Sequence, residues 1–219
     1  MVTAIIAAGG RGARMGGDRP KQLLWLGGVT ILQRSVTAFD RCGQVDEIVL
    51  VVPPELATDG SLASTPDGTP LRVVPGGARR QDSVARGFDA SSSSSEIIVV
   101  HDAARPLCPP EVIIRTIEAA SRYGAAIAAL GAHDTVKQRA AGDGRFVGRT
   151  LARESIVLAQ TPQAFRREVL AEAIQLGRRG VEATDEAVLA DTKSAMRYAF
   201  ARGLDSPGPI ARTLAHYLQ

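Results

Sequence analysis

VTAIIAAGGRGARMGGDRPKQ, residues 2–22, is the stretch from which the rest of the chain is read. Its opening, Val2–Ala7, is an unbroken apolar run that suits a strand buried on both faces. Behind it come Ala8, Gly9 and Gly10, and then two cations, Arg14 and Lys21. Glycines let backbone N–H groups approach a phosphate with no Cβ in the way. Two fixed cations suit a site where negative charge builds on phosphorus. The stretch predicts a strand, a glycine-rich phosphate loop and a charged flank, the equipment of a protein that handles a nucleoside triphosphate. An ordinary strand-to-helix turn with solvated cations is the simpler alternative for the same residues.

Two better-known phosphate loops are excluded. A Walker loop needs Gly-Lys before a hydroxyl residue, and the chain contains no Gly-Lys dipeptide. A dinucleotide fingerprint needs G-x-G-x-x-G, and here Gly10 and Gly12 are followed by Met15 in place of the third glycine. A dinucleotide-dependent oxidoreductase is therefore a distant reading.

The remainder of the chain repeats the opening pattern. Strand-like runs lie at Val2–Ala7, 47–53, Leu71–Pro75, 96–101 and 125–130, with helix-like stretches at 30–39, Arg80–Ala90 and Pro110–Tyr123 between most of them. The last of these helices opens on Pro and is closed by Gly124. This alternation predicts a three-layer α/β domain with a mostly parallel sheet. Sheets of that kind bind ligands beyond the carboxyl ends of their strands. The glycine loop, Gly76-Gly77 and residues 101–106 all follow strand ends, so three separate motifs converge on one edge.

With 219 residues there is enough chain for one domain with a full core. Aromatics are only 4%, so that core is expected from Val, Ile, Leu and Ala, which again favours a helix-covered parallel sheet. A net charge of +3 is too mild for a dedicated nucleic-acid binder and is sufficient for a phosphorylated small molecule. Cys42 and Cys108 are widely separated in sequence without metal-ligand spacing, which suggests a reducing cytoplasm and no disulfide framework. The N-terminal apolar run is too short to span a bilayer and lacks a basic leader, so a cytoplasmic protein with no membrane partner is expected. His101, His133 and His216 form no zinc-protease motif, and there is no G-x-S-x-G elbow.

Residues 58–70 and the serine run 91–95 read as solvated surface loops. Residues 134–151 alternate polar and apolar around Gly142-Asp143-Gly144, which predicts a β-hairpin projecting from the single domain 1–219 and serving as a dimerisation arm.

Several constellations can carry chemistry. In Gly76-Gly77-Ala78-Arg79-Arg80-Gln81-Asp82-Ser83 small residues let a flat base lie against the backbone. The Ser83 hydroxyl can read an exocyclic amine or a carbonyl, or can simply belong to a helix start. In His101-Asp102-Ala103-Ala104-Arg105-Pro106 the Asp102 carboxylate can hold Mg²⁺ or a ribose hydroxyl, or can pair with Arg105. Thr135, Lys137, Arg153, Thr161 and Thr184 are scattered hydroxyls and cations that together could hold a second phosphate.

AGGRGARM (8–15), PKQ (20–22), GGARRQDSV (76–84), VHDAARP (100–106), DTVK (134–137), QTPQAF (160–165) and ATDEA (183–187) occur in this order. Over roughly residues 2–188 the chain resembles the 2-C-methyl-D-erythritol 4-phosphate cytidylyltransferases, the CTP-using enzymes of non-mevalonate isoprenoid biosynthesis. The resemblance implies a Rossmann-like nucleotidyltransferase domain that works as a homodimer with Mg²⁺. It makes Arg14 and Lys21 the stabilisers of charge on the α-phosphorus of CTP. Ala8, Gly9, Gly10, Gly77 and Ser83 would frame the nucleotide, and Asp102 with the backbone at Ala103 would lie near ribose, metal and acceptor. Arg105, Thr161 and Thr184 would line the acceptor pocket. Thr135 and Arg153 would reach the acceptor phosphate from the partner subunit's arm, with Arg153 counted among the catalytic cations.

The family pattern ends on an Asn-hydrophobic-Lys strand whose lysine helps position the attacking phosphate. After Thr184-Asp185-Glu186-Ala187 this chain has no Asn-x-Lys, and Lys193, Arg202 or Arg212 would have to take its place. Two further readings share the motifs: a cytidylyltransferase acting on ribitol 5-phosphate, and a catalytically impaired homologue retained as a binding protein.

Overall fold

A computed structural model describes residues 1–9, 20–58, 60–62, 64–142, 145–181 and 199–201. Among them the elements run β1 (Val2–Ala7), β2 (Trp25–Leu26), β3 (Val29–Thr30), α1 (Ile31–Asp40), β4 (Glu47–Val52), β5 (Leu71–Pro75) and α2 (Arg80–Ala90). They continue with β6 (Ile97–Asp102), α3 (Pro110–Tyr123), β7 (Ala125–Gly131), β8 (Val136–Arg139), β9 (Val147–Leu151), β10 (Val157–Arg166), α4 (Arg167–Arg178) and β11 (Ala199–Ala201).

The helix ends obey local chemistry. Thr30 caps α1: its hydroxyl accepts from the Gln33 N–H at 3.1 Å, and the Gln33 side-chain oxygen accepts from the Thr30 N–H at 2.9 Å. At the start of α2 the Asp82 carboxylate accepts from the Arg79 N–H at 3.1 Å. Gly124 closes α3 with a φ of 92°, a conformation that side chains disfavour, and its N–H donates to the Ala120 carbonyl at 2.7 Å.

The main sheet has the order β11-β7-β10-β6-β1-β4-β5. All pairings are parallel except those of β10, which runs antiparallel to both β6 and β7. Alternate strand residues pack into two cores. On one face Ala4, Ile6, Ile48, Leu50 and Val99 meet Leu32, Val36 and Phe39 of α1 and Ile113, Ile117 and Ala120 of α3. On the other, Ile5, Val49, Val51, Ile98 and Val100 meet Val84 of α2 and Leu170, Ala173 and Ile174 of α4. The three-layer α/β expectation and its mostly parallel sheet are therefore met.

Three parts of the sequence reading are revised. β10 and α4 are additions to the expected elements, and β10 supplies the antiparallel strand that joins β6 to β7. The serine run 91–95 is not merely a solvated connector. Ser91 and Ser95 are buried, Ser95 lies 2.5 Å from the Thr3 hydroxyl, and the Ser92 N–H donates to the buried Glu47 carboxylate at 2.9 Å. Residues 65–69 are likewise tied down, because the Asp40 carboxylate accepts from the Asp67 and Thr69 N–H groups at 2.7 and 3.1 Å. The anticipated hairpin is present as the separate two-stranded sheet β8–β9.

His101, next to the end of β6, is completely buried and tilts its ring against Phe39 at a centroid distance of 4.8 Å. Burial pushes its pKa down from 6.5 to about 4, against the raising effect of its bond to the Arg105 carbonyl.

Two tests follow from this packing. A Cβ on Gly87 of α2 would stand 2.6 Å from Ile5 Cγ2 and 3.0 Å from Val51 Cγ2. Gly87→Ala should lower stability by about 1–2 kcal/mol in urea unfolding, because overpacking outweighs the better helix propensity of Ala. A stabilised variant would mean that α2 can lift from the sheet. The second test is pH. Between pH 6.5 and 4 the unfolded chain takes up a proton at His101 that the native state does not, so stability falls as pH drops through that window and is unaffected by this group above it. From pH 7.5 to 5 the loss should be about 2 kcal/mol, and His101→Gln should remove it.

Candidate functional site

The carboxyl ends of β1, β5 and β6 open into a cleft of about 790 Å³. Its walls are Ala7, Ala8, Gly9, Lys21, Gln22, Gly77, Ala78, Arg79, Arg80, Ser83 and residues 102–105. Each wall is held from behind by a specific bond. The Ala8 N–H donates to the Val51 carbonyl at 2.7 Å, which extends the line of β1 past its last paired residue. The Ala8 carbonyl accepts from the buried Gln22 side-chain amide at 2.7 Å. That bond fixes the 3₁₀ turn Lys21–Leu23 and brings Lys21 to the cleft.

The second wall is the start of α2. The Ser83 hydroxyl accepts from the Gly77 N–H at 3.0 Å and donates to the Arg79 carbonyl at 3.2 Å. Any Cβ on Gly77 would lie 2.4 Å from Asp82 Cβ, so only glycine fits there. The Arg79 guanidinium grips Asp82 through two N–H donors at 3.0 and 2.8 Å and holds that carboxyl below its usual pKa.

The third wall carries the charge chemistry. Asp102 ends β6 and accepts from Arg80 Nε at 3.0 Å and Arg105 Nε at 3.3 Å. The Arg105 N–H closes a turn onto the Asp102 carbonyl at 3.0 Å, and its guanidinium also reaches the Gln160 side-chain oxygen. The Ala103 N–H donates to the Ala7 carbonyl at 3.0 Å, tying the third wall to the first.

Ala8, Gly9, Lys21, Gly77, Ser83, Asp102, Ala103 and Arg105 thus come together as the sequence predicts. Thr161 lies just behind, lining an apolar recess of about 190 Å³ with Arg105, Pro106, Leu107, Cys108, Val112 and Gln160. Thr135 and Arg153 are not brought to this cleft within one chain. They lie at the base of the hairpin, where Arg153 Nη1 donates to the His133 carbonyl at 3.2 Å. Gly10, Arg14 and Thr184, with Lys193, Arg202 and Arg212, lie outside the described residues.

Sequence reasoning missed Arg79, Arg80, Gln22 and Gln160 as site residues. All four stand inside the quoted motifs, where attention went to glycines and hydroxyls. Among the described lining residues the cations Lys21, Arg79, Arg80 and Arg105 outnumber the one carboxylate, Asp102, and Arg79 is balanced by Asp82 behind the wall, so the cleft keeps an excess of positive charge that suits a polyanion. A second cavity of about 760 Å³ between α1, Leu62, residues 64–66 and residues 106–110 holds no carboxylate among its lining residues and is mostly walled by apolar side chains.

No cluster of three or more His, Cys, Asp or Glu side chains among the described residues could cage a metal. One carboxylate beside a polyphosphate does fit Mg²⁺, which commonly takes one or two protein carboxylates and completes its shell with phosphates and water.

Comparison with known proteins shows the family of the chain. The family model for 2-C-methyl-D-erythritol 4-phosphate cytidylyltransferase matches residues 2–200. The bifunctional enzyme IspD/IspF of Anaeromyxobacter sp. (strain Fw109-5) is 47% identical over 196 residues, 89% of this chain and 50% of that protein. The chain therefore spans half the length of that relative. A 2-C-methyl-D-erythritol 4-phosphate cytidylyltransferase of Pelotomaculum thermopropionicum is 41% identical over 195 residues, 87% of this chain and 81% of that protein. The crystal structure of the enzyme so named from Thermus thermophilus superposes with a TM-score of 0.73 at 32% identity, covering 100% of this chain and 99% of that one. With its glycine-lined, cation-walled cleft at the strand ends, the chain belongs to the 2-C-methyl-D-erythritol 4-phosphate cytidylyltransferase family.

Proposed function

We propose that the chain transfers a cytidylyl group from CTP to 2-C-methyl-D-erythritol 4-phosphate and releases pyrophosphate. The observation that carries this reading is the convergence of Lys21, Arg79, Arg80 and Arg105 on one cleft with Gly77 and Ser83, in a chain of this family. An oxygen of the acceptor phosphate attacks the α-phosphorus of CTP. The new P–O bond forms as the bond to the bridging oxygen breaks, and pyrophosphate carries the electron pair away. Lys21, with Arg14, stabilises the charge that develops on the transferring phosphorus. The bare backbone at Gly77 gives the base a flat wall. The Ser83 hydroxyl has committed its proton to the Arg79 carbonyl and accepted one N–H, so it keeps a lone pair for an exocyclic amine, the group that distinguishes cytosine from uracil. Asp102 would hold Mg²⁺, which when bound neutralises charge on the leaving pyrophosphate.

The working unit in this reading is a homodimer. Phe146 and Val147 of the hairpin are 71% and 63% exposed, and Val157 and Leu158 beside it are 43% and 51% exposed. Apolar side chains so exposed on a projecting arm suit a second copy of the chain. Thr135 and Arg153, remote from their own cleft, would then serve the neighbour's. A reducing, cytoplasmic setting fits the two unpaired cysteines.

Pyrophosphate release with CTP, Mg²⁺ and each candidate acceptor tests the reading. Turnover with methylerythritol phosphate is expected. Equal or faster turnover with ribitol 5-phosphate would move the assignment to that acceptor, and none with either would make the chain a binding protein. The arm is tested separately. Lys21→Ala and Arg153→Ala chains should each be nearly inactive, since loss of one such charge contact costs about 3 kcal/mol. Mixed, they should recover about a quarter of wild-type sites, because one site of each heterodimer collects both defects and the other neither. Mixed dimers that stay inactive would show that Arg153 does not act across the interface.

A further inference from the structure

His101 is a fully buried polar side chain for which the reaction above has no use. Its surroundings assign its proton. Nε2 lies 3.1 Å from the Arg105 carbonyl, which can only accept, so Nε2 carries the hydrogen. The ring is completely buried, and its nitrogens meet only a carbonyl and a hydroxyl with no carboxylate bonded to either, so it is neutral. Nδ1 is then a bare lone pair, and the Thr161 hydroxyl 3.0 Å away must donate to it. The same hydroxyl oxygen accepts from the Asp102 N–H at 3.3 Å. Thr161 therefore has its proton committed inward and one lone pair left to offer.

This geometry has consequences at both edges of the recess beside the cleft, which Arg105 and Thr161 line together. The Arg105 carbonyl belongs to the turn that begins at Asp102, so its bond to the imidazole fixes the residue whose guanidinium reaches Asp102 and Gln160. A hydroxyl that can only accept welcomes a polyol O–H and offers nothing to a phosphate dianion, which has no proton to give.

We propose that His101 is a positioning residue for the acceptor, holding the Arg105 turn through Nε2–H and, through Nδ1, fixing Thr161 as an acceptor for a hydroxyl group of the sugar-alcohol phosphate. The inference rests on the reading that this side of the cleft takes such an acceptor. It differs from a packing role, which would affect both substrates alike.

The wild-type enzyme is the reference, and its turnover tests the underlying reading by itself. Thr161→Val and His101→Gln should each raise the KM for methylerythritol phosphate about tenfold and leave the KM for CTP within twofold. His101→Gln keeps an N–H for Arg105 and loses the acceptor for Thr161. Thr161→Ser, which keeps the hydroxyl, should restore the wild-type KM. The two losses report one interaction, so the double variant should be no more than about twofold worse than the worse single variant. The proposal is overturned if the two KM values rise together, if neither changes, or if the single effects multiply. A measurement on the unaltered protein guards against variants that do not fold: ¹⁵N NMR of the His101 ring should report hydrogen on Nε2 and none on Nδ1. The opposite tautomer would overturn the proposal whatever the kinetics give.

Discussion

The register of β1 determines where the cleft lies. Ala7 pairs with Val51 of β4 on one side and with Asp102 of β6 on the other. Three parallel strands therefore end level, and the chain leaves each of them at the same edge. Two backbone bonds carry the alignment past the last pair, Ala8 N–H to Val51 and Ala103 N–H to Ala7. The register is strongly specified because β1 and β4 are buried on both faces. A slip of one residue would exchange Ile5 with Ile6 and Val49 with Leu50 between two differently packed cores. Close packing makes that costly, and at Gly87 there is no room even for a methyl group.

Polar groups sit behind this edge in unusual depth for a sheet of Val, Ile and Ala. Gln22, Ser35, Ser83, His101 and Thr161 are all buried, and each finds partners among backbone carbonyls, N–H groups or one another. A buried polar group with its bonds made adds little net stability, whereas one with a bond missing costs a large part of the fold's margin. Such a network therefore favours one conformation of the loops it holds. Here those loops carry Lys21, Asp102 and Arg105, three of the charged groups that line the cleft.

The sheet was legible because two-sided burial writes itself as uninterrupted apolar runs, and β1, β5, α2 and α3 lie at the bounds that their composition suggests. β10 was not legible. Val157–Arg166 contains Pro162, Gln160, Thr161 and Gln163, breaks its register against β7 between Ala159 and Gln163, and is exposed over 157–159, buried over 161–165 and exposed again at Arg166. No single period describes such a strand. α4 does carry the i, i+3, i+4, i+7 stripe of Leu170, Ala173, Ile174 and Gly177, but half of it is Ala and Gly, which hardly stands out among flanking charges. In the site, residues that act through their own backbone or a local turn could be read from motifs. Arg80 could not be paired with Asp102 in advance, because that ion pair joins α2 to β6 across the fold.

The Asp102 carboxylate, shared between Arg80 and Arg105, ties the wall at the start of α2 to the wall that follows β6. The three groups together carry one net positive charge, and the pairs are partly exposed, so holding them together contributes little to stability. Their value is in what they can exchange. A polyphosphate in the cleft would offer both guanidiniums better partners, since phosphate oxygens accept the same parallel N–H donors and carry more charge. Were either guanidinium to turn outward, Asp102 would lose a counter-charge and offer its oxygens to a cation or a hydroxyl. The backbone of the Arg105 turn and the Thr161 hydroxyl, by contrast, are held by the buried His101 ring, whose bonds to them involve neither ion pair.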